Sequence, residues 1–209
     1  MKMRNRAILF GMSALALAGC AAMDAGDSSD ARAKAVALME KDFKTRGQAN
    51  VERIKQDDLQ ALCTRYAGGD VPADAAKRVE AAQLATVKYP VDGHYLGDWK
   101  AGEKIAQTGT GKQWSDDPKT PGGGNCYACH ELSPKELSFG TIGPSLRGYG
   151  RARGNSVDML RYTYAKVYNP DAFNACSSMP RFGHQGILSE QQIKDVVALL
   201  MDPASPVNQ

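Results

Sequence analysis

The sequence predicts an all-α protein, and three features point that way. Apolar residues recur at helical spacing in five segments, glycine and proline punctuate the gaps between those segments, and no alternating strand pattern of any length is present. The chain has 209 residues, a formal net charge of +3 and five cysteines.

Taken in order, Lys2, Arg4 and Arg6 precede an apolar run from Ala7 to Leu17 that is too short for a stable membrane span. This reads as an export signal over residues 1–19. Its end, Leu17-Ala18-Gly19-Cys20, resembles a bacterial lipobox, which implies cleavage before Cys20 and lipid on that thiol. An ordinary signal peptide cut nearby, for instance after Ala22, is the alternative. Either route gives a periplasmic product, anchored to the membrane by lipid or soluble, of about 190 residues, enough for one domain with a smaller attached unit.

Residues 20–30 are small and polar and read as a flexible tether. Helical periodicity then runs from Ala31 to Arg46 through Val36, Leu38, Met39 and Phe43, and from Val51 to Tyr66, where Gly68-Gly69 ends it. Pro72 opens a third helix, from Ala73 to about Val87, stopped by Pro90. Three short helices make no second core, so residues 31–96 are read as a helical N-terminal extension packed on a C-terminal domain of residues 97–209.

In that domain Asp98 is an N-cap for the next helix, in which Gly102 costs about 1 kcal/mol relative to alanine unless another helix approaches closely there. The expected partner is the last helix, Ser189 to Met201. Ser189 and Gln192 form a capping box, Ile193, Val196, Val197 and Leu200 make one apolar stripe, and Pro203 stops the helix.

The most specific motif is Cys126-Tyr127-Ala128-Cys129-His130. Two thiols three apart, followed by an imidazole, are the covalent attachment pattern of a c-type haem. On one helical turn the three side chains share a face, so Cys126 and Cys129 can add to the vinyl groups while His130 binds the iron. A structural zinc site needs two further closely spaced ligands, and Cys63 and Cys176 are isolated. A dithiol redox pair follows a buried strand, whereas Pro121-Gly122-Gly123-Gly124-Asn125 is loop-like.

Export permits a disulfide. With Cys20 assigned to lipid and Cys126 and Cys129 to haem, Cys63 and Cys176 are left, either as a bridge contributing about 4 kcal/mol or as two separate buried thiols. No basic stripe with interleaved aromatics exists, which argues against nucleic acid as a partner.

For the sixth iron ligand, Met159 and Met201 fall on helical segments among apolar neighbours, where a core role is the default. Met179 lies in an irregular segment, Ser177 to Gly183, stiffened by Pro180, and is the preferred ligand, with His184 as the alternative. A His130/Met179 pair raises the potential and suits an electron acceptor. His94 precedes the domain and is read as an ordinary surface histidine. Arg147-Gly148-Tyr149-Gly150-Arg151 can place Tyr149 against the haem and an arginine beside a propionate, or simply carry solvated charge.

Asp98 to Ala106 resembles the first helix of small cytochromes c, and Thr141-Ile142-Gly143-Pro144-Ser145-Leu146 follows His130 where those proteins carry a Gly-Pro turn. By that resemblance the Pro144 carbonyl accepts the Nδ1 proton of His130; a simple chain-reversing turn is the alternative. Together with Gly124 to His130, Tyr168-Asn169-Pro170, Met179 to Gly183 and Gly186-Ile187-Leu188, these blocks resemble the SoxX family of the bacterial sulfur-oxidation system over residues 97–208.

The resemblance implies a class I cytochrome c-like domain with one covalent haem c, acting as the electron-transfer subunit of a SoxXA heterodimer. In such a complex thiosulfate is coupled to a carrier-protein cysteine on SoxYZ, the chemistry belongs to the SoxA partner, and this subunit passes electrons to a diffusible cytochrome without a catalytic residue of its own. The alternative is a stand-alone periplasmic electron shuttle serving a dehydrogenase or terminal oxidase. The region from Ala31 to Val87 lies outside the resemblance.

Overall fold

Helices form every regular element of the computed structural model, which describes residues 25–209; among the described residues the β pairing is limited to an isolated bridge between Arg46 and Ala49. The export signal expected over residues 1–19, Cys20 and the start of the tether lie outside the described residues.

The chain divides into two compact units, residues 1–44 and 45–209. The first contains α1, Ala25–Asp42. The helix expected over 31–46 therefore begins inside the stretch read as a tether and ends sooner. Asp30 pairs with Lys34 one turn on, at 2.6 Å, an i,i+4 pair that supports the helix across the stretch read as a tether. Arg46 is drawn instead into a tight turn in which Gly47 takes φ 51°. Val36, Leu38, Met39 and Phe43 are exposed, so their spacing marked a helix without marking a buried face.

In the second unit the helix expected over 51–66 is two elements: a 3-10 turn, Val51–Ile54, and α2, Asp58–Arg65. The break is chemical. Asp57 and Gln60 make a reciprocal capping box, which starts a new helix where the periodicity alone suggested continuity. Next come α3 (Ala73–Leu84), opening behind Pro72, and α4 (Trp99–Gln107), capped by Asp98. They are followed by α5 (Tyr149–Arg153), α6 (Val157–Tyr168) and α7 (Glu190–Met201), the last with the expected Ser189/Gln192 box.

The core is built on α7 and the helices crossing it. Gly102 of α4 lies so close to α7 that a Cβ would sit 2.6 Å from the Asp195 carbonyl carbon and 3.0 Å from Leu199 Cβ. This contact explains a glycine inside a helix, because the lost helix propensity is offset by a backbone approach no other residue allows. Asp195 then holds the entry to α4 by accepting from Asp98 N at 2.9 Å. Tyr164, Ile193, Val197, Leu199 and Val207 are fully buried.

Residues 45–96 do not form a layer of their own. Tyr164 of α6 donates to the Lys88 carbonyl at 3.2 Å, and Asn169 Nδ2 donates to Gln83 Oε1 and Thr86 Oγ1 at 2.9 and 3.0 Å. Those bonds are made between a buried asparagine and the end of α3, so residues 45–96 pack onto the C-terminal helices and lie in the same compact unit.

Candidate functional site

Cys126, Tyr127 and Ala128 form a 3-10 turn rather than an α-helical one, entered through Asn125 in the left-handed region at φ 45°. His130 N donates to Cys126 O at 2.9 Å, closing one full turn, so the cysteines and the histidine remain on adjacent steps of a single coil. Neither thiol is bonded to another cysteine.

Burial pushes the Cys126 thiol up to about 12, and its neighbour Cys129 adds to the shift. A redox dithiol needs the opposite perturbation, a thiol made acidic by its surroundings. Among the described residues no three Cys, His, Asp or Glu side chains converge on a point that could hold a metal ion. The turn therefore presents two unbonded sulfurs and an imidazole that do not share one centre.

The imidazole is oriented by two contacts. Its Nδ1–H donates to the Pro144 carbonyl at 2.7 Å; a carbonyl can only accept, so this bond selects the tautomer and leaves Nε2 with a free lone pair. Gly143 packs against the other side. A Cβ there would lie 2.5 Å from Nδ1 and 2.7 Å from Nε2, with Cε1 closer still. Gly143 N in turn donates to Cys129 O at 2.8 Å, so the 141–146 segment is tied to the turn that it supports. Gly124 plays the same part for the first thiol, with room for a Cβ only 3.0 Å from Cys126 Sγ.

Met179 stands in an irregular segment and packs, half-buried, against the same core as Cys126, Leu146 and Tyr149. It also lines a surface cleft of about 800 Å³ with Cys63, Cys176, Asp57, Leu59 and Arg181. Cys126, Cys129 and His130 are not on the lining of that cleft. The structure thus brings Met179 to α2 and brings His130 to the Gly-Pro turn. Cys63 and Cys176 are bonded to each other, 113 residues apart.

The other sequence candidates are occupied elsewhere. Met201 is core, with Thr163 Oγ1 3.9 Å from its sulfur, and Met159 packs at the edge of the same core. One nitrogen of His184 is held 3.2 Å from Thr86 Oγ1, and burial lowers its pKa. His94 is exposed beside Asp92. The Tyr149 hydroxyl meets Thr163 Oγ1 at 3.1 Å, under the Arg153 guanidinium. Of the two arginines flanking it, Arg147 lies 3.7 Å from Glu131 and Arg151 donates to Asn208 O at 3.2 Å, so both have partners within the chain.

Sequence reasoning missed the contact of Gly143 with the imidazole and the ion pair of Arg181 with Asp57. The first had a visible signal in the Gly-Pro pair. The second had none, because its partners are 124 residues apart.

No protein-family model matches the chain. A curated relative, an uncharacterised lipoprotein of Aquifex aeolicus (strain VF5), is 41% identical over 162 residues, which is 73% of this chain and 73% of the relative. Among solved structures, a chain of the crystal structure of SoxXA from P. pantotrophus aligns at 27% identity over 57% of this chain and 90% of that one, with a TM-score of 0.39.

Proposed function

The chain belongs to the family of the Aquifex aeolicus lipoprotein, and we propose that it is an exported haem c protein that carries single electrons. In the finer form of the proposal it is the haem-bearing subunit of a SoxXA-type thiosulfate-oxidising complex.

The observation that carries the reading is the state of the Cys126–His130 turn. Two unbonded thiols flank a buried tyrosine, and the following imidazole has one nitrogen tied down by the Pro144 carbonyl. This is the donor set that haem c attachment requires, and it fits neither a zinc site nor a dithiol pair.

Cys126 and Cys129 would hold the group through thioether bonds and His130 Nε2 would bind its iron. The Pro144 carbonyl keeps the proton on Nδ1 and makes the imidazole a stronger donor. Met179, from its irregular segment, would supply the iron's other ligand. When bound, haem c supplies a one-electron couple whose potential is raised by a His/Met pair. With both axial positions taken from its own chain, the protein transfers electrons and leaves substrate chemistry to a partner.

The assignment to thiosulfate oxidation is supported by the separate sequence blocks from Gly124 to Leu188 that resemble SoxX. In that role SoxA is the stable partner, SoxYZ carries the sulfur substrate, and a diffusible cytochrome takes the electrons. Lipid on Cys20 is supported by the relative's description as a lipoprotein; no helix among the described residues is long and apolar enough to cross a membrane.

Affinity purification from thiosulfate-grown cells tests the assignment. The expected result is a second cytochrome co-purifying with this chain, and loss of thiosulfate-dependent electron flow when its gene is deleted. A haem protein that purifies alone and whose deletion leaves thiosulfate oxidation intact is instead the stand-alone shuttle.

A further inference from the structure

The segment carrying Met179 is fastened from both of its ends to one short helix. Upstream, Cys176 is bonded to Cys63 in the last turn of α2. Downstream, Arg181 Nη2 donates to Asp57 Oδ2 at 2.6 Å, at the start of the same helix. The Arg181 side chain is only 8% exposed, so its charge is buried and Asp57 is its carboxylate partner. A buried guanidinium stripped of its partner is costly, which makes this contact selective for one loop position.

Asp57 does two things with its two oxygens. Oδ1 accepts from Gln60 N at 2.8 Å and caps α2, while Oδ2 holds Arg181. Between these anchors the segment is tied down further: Ser177 N donates to the buried Asp171 at 2.9 Å, and Met179 N donates to Ser177 Oγ at 3.2 Å. Ala175 N, just ahead of the bridge, donates to Glu80 of α3 at 3.1 Å. Cys176 itself takes φ 63°, a conformation that a non-glycine residue adopts only when its surroundings impose it.

We propose that α2, a part of the chain outside the resemblance that suggested its function, is a clamp for the axial ligand, and that Asp57 is a positioning residue that holds the Met179 thioether in place through Arg181. This rests on Met179 being the second axial ligand. The distance between Met179 and its two anchors is three residues on one side and two on the other, so a loosened anchor is felt directly at the sulfur.

The test uses the mature, haem-loaded chain and the substitution Asp57→Asn. Asparagine is as good an N-cap as aspartate, so α2 stays capped while the charge facing Arg181 is lost. Two readouts are taken: the rate at which cyanide displaces the sixth ligand of the ferric protein, and the rate of trypsin cleavage after Arg181. Ile193→Val, in the fully buried core of α7, serves as a control that lowers stability without touching the loop.

The expected result is that D57N speeds cyanide entry by about tenfold or more, as loss of one charged hydrogen bond implies, and speeds cleavage as well. I193V should change neither rate. Cyanide entry in D57N equal to wild type overturns the proposal, whether or not cleavage is faster, because the clamp then holds the chain but not the sulfur. Met179→Ala separates the two claims. If it leaves the far-red sulfur-to-iron absorption of the wild type unaltered, the ligand assignment itself has failed; if it abolishes that band while D57N behaves as wild type, only the clamp has failed.

Discussion

Gly143→Ala puts the orientation of the proximal imidazole to a quantitative test. The added Cβ would sit 2.5 Å from His130 Nδ1 and closer still to Cε1, whereas ordinary contact begins at 3.4 Å, so ring or loop must move by more than about 0.9 Å. Backbone strain does not enter, because Gly143 is not at positive φ. Moving the ring that far stretches its 2.7 Å bond to Pro144 O beyond hydrogen-bonding range. Overpacking of this kind costs about 1–3 kcal/mol, and the bond, near the surface, contributes about 0.5–1 kcal/mol more. The expected loss is therefore about 1.5–4 kcal/mol in urea unfolding, with the Nδ1 proton exchanging freely by NMR. Ile142→Ala, at an 80% exposed neighbour, should change neither. An unchanged unfolding midpoint with a still-protected Nδ1 proton in G143A would refute the reasoning.

Removing the bridge with Cys63→Ala and Cys176→Ala frees a loop of 113 residues in the unfolded chain, and urea unfolding should show a loss of about 4–5 kcal/mol; a loss below about 1 kcal/mol would mean that the bridge adds little to the fold. Tyr164 predicts an alkaline limit. Burial first, and then the charges of Glu190, Tyr168 and Tyr95, raise its pKa above the ordinary tyrosine value. The unfolded chain then releases that proton first, so stability is intact below about pH 10 and falls as pH rises toward the raised value. Tyr164→Phe should lose about 1 kcal/mol at neutral pH, from the bond to Lys88 O, and show a shallower decline above pH 10. A decline identical to wild type would place the alkaline sensitivity elsewhere.

The parts of the fold that were legible are those governed by local chemistry. Asp98 and the Ser189/Gln192 box set the starts of α4 and α7 where their side chains indicate, and Gly102 is the close approach that a mid-helix glycine suggests. The 51–66 segment was misread because its apolar spacing runs on through Asp57, while the capping box there stops and restarts the helix. The particular contacts by which residues 45–96 pack on the rest were not legible, for another reason. Bonds such as Asn169 to Gln83 and Tyr164 to Lys88 span 86 and 76 residues, and no local pattern announces them. At the site, the Cys126–His130 turn stood out because its two thiols and imidazole fall within five residues. Arg181 and Asp57 were not, because an ion pair between distant elements leaves no periodic trace.

The central claim is that one haem is fixed covalently to Cys126 and Cys129. Its most direct test is the visible spectrum and intact mass of the mature protein, produced in a host with a c-type maturation system and denatured in acidified organic solvent. The account predicts that Soret absorbance and the mass of one haem stay with the polypeptide, and that both are lost in Cys126→Ser with Cys129→Ser. A colourless protein, or a haem that extracts into the solvent, would contradict it.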